Sequence, residues 1–379
     1  MPAGQRILIV GGGIGGLAAA VALRRRGLDA QVFEQASELR EIGAGLSVWP
    51  NATNVLRAFG LLDEALKRSS RLDRLRLQTS TGAMLTETGA VSSCGTPSIC
   101  IHRADLLALL KDALPAQCIS LGARFENLAE RERSVVARFA DGREVEGDAL
   151  IGADGLYSVV RERILGSSKP AYRGYHAWRG VAHYPGAALG ARAVEVWGAG
   201  RRFGFEPLSE ARCFWYATEN AHEGDLGSPA SWKEEVACAF GGWPPPIPQL
   251  IEATPGDAVL KHGIFDPAPV KHFGAGRVTL LGDAANPTTP NLGQGACMAL
   301  EDAFVLAECL AAGEAPAALR GYESRRYRRR RFITLESRRI GRVAQYASRP
   351  GVALRTLLVR LLPAAITDFQ HRRYYAFCN

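Results

Sequence analysis

The sequence predicts an α/β fold in which two sheets are interleaved along the chain and helices close the C-terminal end. Three observations carry this. An apolar strand, a glycine-rich turn and a helix follow one another at residues 6–27. The same order returns at residues 147–164 and again at 280–303. Between these units, residues 71–99 and 171–269 alternate apolar and polar side chains and hold most of the aromatics, including Trp178, Trp197, Phe203, Phe205, Phe214, Trp215 and Tyr216. That alternation suits a largely antiparallel sheet with one face turned inward.

The first unit is the most specific. The run RILIV (6–10) reads as a strand, Gly11-Gly12-Gly13-Ile14-Gly15-Gly16 as the turn, and LAAAVALRRRG as a helix ending at Gly27. The next strand is DAQVFEQ, residues 29–35. In such a turn Gly11 permits the tight bend, Gly13 lets the backbone approach a pyrophosphate, and Gly16 lets helix and strand pack closely. The helix start then offers free N–H groups and a partial positive charge to phosphate. Glu34, 18 residues past Gly16, falls where a carboxylate accepts hydrogen bonds from a ribose diol. The unit predicts a Rossmann-like dinucleotide site and does not separate NAD from FAD. Its alternative is a plain tight turn.

Composition bounds the rest. The chain has 379 residues, 47% hydrophobic and 22% charged, ordinary values for a globular protein with a sizeable core. A net charge of +8 favours anionic ligands at encounter, unless it only reflects Arg-rich composition. Eight cysteines (94, 100, 118, 213, 238, 297, 309 and 378) form no CxxC pair, which fits reduced thiols. No apolar run approaches the roughly 18 residues of a membrane span, and no leader pattern precedes the first strand. A cytoplasmic location is expected.

The second unit, GDALIGADGLYSVVRERI (147–164), contains Asp148, Gly152, Ala153, Asp154, Gly155, Ser158 and Arg161. The third, LLGDAANPTTPNLGQGACMALEDA (280–303), centres on Gly282-Asp283-Ala284-Ala285. With the glycine fingerprint these occur in the order seen in flavoprotein aromatic monooxygenases of the para-hydroxybenzoate hydroxylase type, which the chain resembles over residues 5–345. GLSVWPNA (45–52), YRGYHAWRG (172–180) and RRFGFEPL (201–208) are similar to the branch of salicylate, 3-hydroxybenzoate and urate hydroxylases and zeaxanthin epoxidases.

The resemblance implies FAD as cofactor, with NADH or NADPH as a transient reductant that has no Rossmann domain of its own. It implies oxygen transfer from a flavin C4a-hydroperoxide to an aromatic or heteroaromatic substrate, with O₂ consumed and no metal. Gly11, Gly13, Ile14, Gly15 and Gly16 then meet the pyrophosphate, Glu34 and Gln35 the adenosine end, and Ser47 and Arg103 further parts of the cofactor. Asp283 holds the ribityl or pyrophosphate portion, and Gly293, Gln294, Gly295, Ala296 and Cys297 face the isoalloxazine ring. Pro290 and Gly293 shape a turn whose following helix aims its positive end at the flavin, favouring the reduced anion. Asp154 supports the fingerprint loop and transient nicotinamide binding, or with Arg161 simply caps a helix start. Arg202 is expected to orient substrate or flavin, Tyr216 and Pro290 to shape the reaction site. Where the family usually has His, this chain has Asn286, which cannot titrate near neutral pH. Urate-hydroxylating relatives carry an amide at the position of Ala177 and tyrosine at that of Phe214, so urate is disfavoured.

In this scheme residues 1–70, 100–165 and 270–345 form the FAD-binding domain, 71–99 and 171–269 the substrate domain, and 346–379 a C-terminal helical segment. GGWPPPIPQLIEA (241–253) reads as a rigid connector. In YESRRYRRRRFITLESRRIGR (322–342), Tyr322, Phe332, Leu335 and Ile340 are spaced as one helix face and the arginines are expected mostly to form its solvated side, so no nucleic acid is expected. The amphipathic tail 351–366 is expected to dock on the protein's own body, leaving a monomer or homodimer without membrane contact. Flavin-dependent epoxidation or natural-product tailoring, and a non-catalytic flavin-binding redox sensor, are the alternative functions.

Overall fold

The structure is a computed structural model that describes residues 4–39, 44–89, 95–166 and 169–377; Cys94 and Cys378 lie outside these. A six-stranded sheet runs in the order 274–275, 278–280, 149–152, 6–10, 29–33, 119–120, and is parallel except for the first hairpin. Its central strands are apolar on both faces, with Ile7, Leu8, Ile9, Leu150 and Ile151 fully buried, as a sheet covered by helices requires. The three motif strands are neighbours: Val10 pairs with Gly152, and Gly152 with Leu280. All three turns therefore leave from adjacent strand tips. Helix Ile14–Arg24 packs against helix Gly295–Ala312, so closely that a Cβ on Gly15 would stand 3.4 Å from that of Ala299.

A seven-stranded sheet runs 260–266, 171–183, 212–220, 201–207, 192–197, 74–79, 84–89. It is antiparallel except where 192–197 meets 74–79. Alternation sorts its residues. Trp178, Phe203, Phe205 and Trp215 point away from the first sheet and form a core with helices Trp232–Phe240 and Ile247–Glu252. Arg202, Glu206, Tyr216 and Arg179 occupy the other face, since Arg202 and Glu206 are in step with Gly204, whose partner is Tyr216, and Tyr216 pairs with Arg179. A small sheet of strands Gly45–Val48, Ser98–His102 and Ser69–Leu72 fills the junction.

The Arg-rich segment is one helix, Ala315–Ala344. Its arginines are not all solvated. Arg326 and Arg330 are buried, whereas Leu335 is exposed. The reason is charge pairing. Arg326 meets Glu301 at 2.6 Å and Asp302 at 2.7 Å, Arg329 meets Glu301 at 3.1 Å, and Arg330 meets Asp302 at 3.1 Å. Burial acts to raise the Glu301 pKa, but Arg326 and Arg329 beside it hold it below the ordinary carboxylate value.

Two consequences are expected. Asp302→Ala leaves Arg326 and Arg330 buried with one carboxylate fewer, and costs about 3–5 kcal/mol in denaturant unfolding. Because the folded pKa of Glu301 is depressed, its stabilisation is present above pH 4.5 and is lost as the pH falls through the folded value. Acid titration of unfolding midpoints checks this.

Candidate functional site

The glycine turn meets its three requirements by geometry. Gly11 has φ +108°, and a Cβ there would lie 2.4 Å from the Ala153 carbonyl oxygen. A Cβ on Gly16 would lie 1.9 Å from the Gly11 oxygen, so helix and strand touch. A Cβ on Gly13 would meet nothing within 4 Å. Gly13 is also the N-cap of its helix and supplies no side-chain cap. The first-turn N–H groups, Ile14 and Gly15 among them, are thus left for a ligand. Glu34 sits just beyond strand Asp29–Phe33, its carboxylate accepting from the N–H of Gly12 at 2.6 Å and of Ala36 at 2.9 Å. Gln35 beside it is exposed.

The third turn repeats the device. Helix Gly295–Ala312 starts after Gln294 with no side-chain cap, and a Cβ on Gly295 would meet open space. Before it, Pro290–Leu292 forms a 3₁₀ turn closed by Gly293, whose φ of +60° suits glycine. Gly293, Gly295 and Ala296 remain partly accessible. Gln294 and Cys297 turn inward. The Gln294 amide oxygen accepts from Asn51 at 2.9 Å, and the Cys297 thiol lies 3.8 Å from the Ser47 carbonyl. These contacts tie the turn to the small sheet and to helix Pro50–Ala58.

Asp154 caps a helix. It accepts from the Ser158 hydroxyl at 2.5 Å and the Val160 N–H at 3.1 Å, and Ser158 accepts from the Arg161 N–H at 2.9 Å. Arg161 then reaches the Ala284 carbonyl at 3.5 Å, joining the second motif to the third. Asn286 donates to the Thr334 hydroxyl at 2.8 Å, which the helix Ala315–Ala344 provides.

Asp283, Arg103, Arg179 and Tyr216 surround one cleft. The Asp283 carboxylate is solvent-accessible, yet burial is the main cause of its raised pKa, opposed by Arg103 and Arg330. Both statements hold for a group lining an open cleft, which solvent reaches while protein surrounds it. Arg179 and Tyr216 share this character, and each is only partly accessible. Burial and the neighbouring Arg103 lower the Arg179 pKa, and burial raises that of Tyr216. Arg179 lies within YRGYHAWRG, where sequence pattern alone gives it no special role.

Arg202 is 1% exposed and fully engaged. It donates to Thr218 at 3.3 Å, Glu195 at 3.1 Å and the Asn291 side-chain oxygen at 2.5 Å. Asn291 in turn donates to Thr289 and the Ser337 carbonyl, both at 2.9 Å. Arg202 therefore reaches the Pro290 turn through Asn291, a residue whose partners are too far away in sequence to be read from it. Glu206 is a second group that pattern alone misses. Its carboxylate, 5% exposed, accepts from the Ser47 hydroxyl at 2.8 Å and bridges the seven-stranded and small sheets. Burial pushes its pKa up to about 7, against the Ser47 and Cys100 hydrogen bonds. Tyr375, from helix Ala364–Tyr375, stacks on Trp49 at 4.5 Å and closes the same region.

The residues present fit a dinucleotide-type cofactor: two uncapped helix starts with open glycine positions converge on strand tips beside Asp283, Arg103 and Arg179. Among the described residues no cluster of His, Cys, Asp and Glu suits a metal ion.

A family model described as an FAD binding domain matches residues 5–181 and 268–335. The chain is 39% identical over 388 residues to aurachin C monooxygenase/isomerase of Stigmatella aurantiaca, covering 100% of this chain and 99% of that one. It is 36% identical to 6-hydroxynicotinate 3-monooxygenase of Pseudomonas fluorescens, covering 82% and 83%. The crystal structure of Klebsiella pneumoniae HpxO complexed with FAD and uric acid superposes with a TM-score of 0.91 at 28% identity, covering 98% of this chain and 96% of that one. The chain belongs to the FAD-binding family of flavin-dependent aromatic monooxygenases.

Burial of the Glu206 carboxyl has a cost that pH reveals. Its folded pKa of about 7 lies above the ordinary 4.5, so the folded chain holds a proton that the unfolded chain releases. Stability therefore falls as pH rises from 4.5 through about 7, by roughly 3 kcal/mol at 1.36 kcal/mol per pH unit. Glu206→Gln is expected to unfold at higher denaturant than the parent at pH 8 and close to it at pH 5.

Proposed function

We propose that this FAD-dependent monooxygenase hydroxylates an aromatic or heteroaromatic small molecule more apolar than urate, held on the inner face of the seven-stranded sheet. The supporting observation is the pair of uncapped helix starts, at Gly13 and Gly295, which open onto a cleft that also contains Arg103, Arg179 and Asp283. FAD, reduced by NADH or NADPH, supplies the oxygen-activating chemistry when bound. The protein's part is to bind, orient and keep water out.

Gly11, Gly13, Gly16 and the N–H groups of Ile14 and Gly15 would take the pyrophosphate. Glu34, already on the Gly12 N–H, and Gln35 would take the adenosine end. Arg103 and Asp283 would hold the middle of the cofactor, with Ser47 beside it. The N–H groups around Gly293, Gly295 and Ala296 would meet the negative edge of the reduced ring, where the helix dipole stabilises it. Gln294 and Cys297 act by fixing that turn, as Asp154 fixes the second one. On this reading residues 1–70, 100–165 and 270–345 serve the cofactor, 71–99 and 171–269 the substrate, and 346–379 close the cleft with Tyr375.

On the substrate side Ala177 and Phe214 are apolar, so a purine rich in polar edges would leave its groups unpaired there. Tyr216 offers a hydroxyl and a ring, and Arg202 orients the Pro290 turn through Asn291. Glu206 gives the cleft a carboxyl, already accepting from Ser47, that becomes charged above about pH 7 and then suits a ring N–H or hydroxyl more strongly.

The decisive measurement is flavin bleaching by NADH or NADPH across a panel of aromatics, followed by product mass. Bleaching stimulated by one apolar ring compound, with a product heavier by one oxygen, is the expected result; fast reduction with no oxygenated product overturns the reading. Two substitutions separate cofactor binding from folding. Gly13→Ala has room for its methyl, so the unfolding midpoint should hold while FAD affinity drops on the order of tenfold. Asp283→Ala should lose bound FAD on gel filtration, and full retention would remove Asp283 from its role.

A further inference from the structure

Helix Arg349–Leu361 is built inside out. It buries a single residue, and that residue is Arg355. Its guanidinium donates to the carbonyls of Ala344 at 2.6 Å and Gly198 at 3.0 Å and lies 5.3 Å from the Trp197 ring centre. The tail thus docks on the protein's own body, but through its polar side. Leu354, Leu357, Leu358 and Leu361 are each more than half exposed. Their spacing puts them on one helix face. Leu362, and then Ile366 and Phe369 of helix Ala364–Tyr375, extend the exposed apolar surface.

Charge says what covers it. Arg349, Arg360, Arg372 and Arg373 are exposed, and Asp368 is the one acid between residues 345 and 377. At 100° per residue, Arg349 and Arg360 fall together on one flank of the leucine stripe. A second copy of the chain seated on this stripe in a two-fold contact would bring these arginines towards each other without acids to pair them. An anionic bilayer supplies both missing partners: acyl chains for the leucines and headgroups for the arginines. No helix among the described residues is long and apolar enough to cross a membrane, so the fitting orientation is in the plane of the interface.

We propose that helices Arg349–Leu361 and Ala364–Tyr375 are an interfacial docking surface for a membrane containing anionic lipid. The end of the second helix is anchored at the cleft. Arg329 donates to the carbonyls of Arg373 at 2.6 Å and Tyr374 at 2.7 Å, and Tyr375 stacks on Trp49. If the cleft is the reaction site proposed above, docking brings it next to a lipid phase that dissolves apolar aromatics; the docking itself does not rest on that reading.

The test is flotation of the FAD-loaded full chain with phosphatidylcholine vesicles, with and without phosphatidylserine. The parent should float with the phosphatidylserine vesicles and detach as salt is raised. Leu357→Glu combined with Leu361→Glu should abolish flotation, and Arg349→Glu combined with Arg360→Glu should weaken it on the order of tenfold or more. Unchanged flavin spectra and melting temperatures show that these surface variants are folded. Absence of flotation by the parent overturns the proposal. So does a dimer in sedimentation velocity that the leucine variant dissolves while vesicle binding is unaffected, since that assigns the stripe to a second copy.

Discussion

Helix Gly295–Ala312 leaves its first turn without a side-chain cap, and the buried charges further along fix where that turn sits. Glu301 and Asp302 are nearly inaccessible and meet Arg326, Arg329 and Arg330 from helix Ala315–Ala344. Asp302 also accepts from the Gly282 N–H at 3.2 Å, and Arg330 donates to the Gly282 carbonyl at 2.9 Å. Asn51 donates to Glu301 at 2.6 Å. One network therefore sets the position of the Asp283 turn, the helix after it and the helix that follows the first strand of the small sheet. Such a network adds little net stability over an apolar core, because desolvating the ions offsets their attraction. What it supplies is a single register, since any sliding of the two helices strands a charge in the interior.

That distinction explains what the sequence made legible. The glycine turn was readable because its requirements are local: Gly11 needs a positive φ, Gly16 must give way to a carbonyl, and Gly13 must leave space. Each demand falls on one residue type at one spacing. The three motifs were also legible as strand–turn–helix units, and their strands lie side by side at Val10, Gly152 and Leu280. The Arg-rich helix was legible only in part: most of its arginines are solvated as expected, but Arg326 and Arg330 are buried. Composition alone makes a charge run look solvated, and nothing within 322–342 reveals that two acids some 24 residues earlier are buried opposite it.

The cleft shows the same limit. Arg179, Glu206 and Asn291 lie inside stretches that resemble the family, but their meaning comes from long-range partners: Arg103 and Asp283 for Arg179, Ser47 for Glu206, Arg202 for Asn291. The aromatic-rich sheet was readable in outline, though not in polarity. Most of its large rings fill the core on the far side, and the face towards the cofactor half is the charged one.

Charge placed there works against folding and for chemistry. Arg179 has a lowered pKa and Glu206 a raised one for the same reason, removal from water, so burial disfavours the charged form of each, although the Arg179 guanidinium stays protonated. A purely structural sheet would gain by replacing both with apolar side chains. Their joint presence, on the face opposite the two open helix starts, is partly compensated within the fold, by Asp283 beside Arg179 and by the Ser47 and Cys100 hydrogen bonds to Glu206. On the proposed function, an anionic cofactor would add to the first and a ring bearing a donor to the second. The same reasoning applies at the other end of the chain, where an arginine is buried and leucines are left in water. Unfavourable placements at a cleft and at a surface are what the proposed cofactor and the proposed membrane contact would offset.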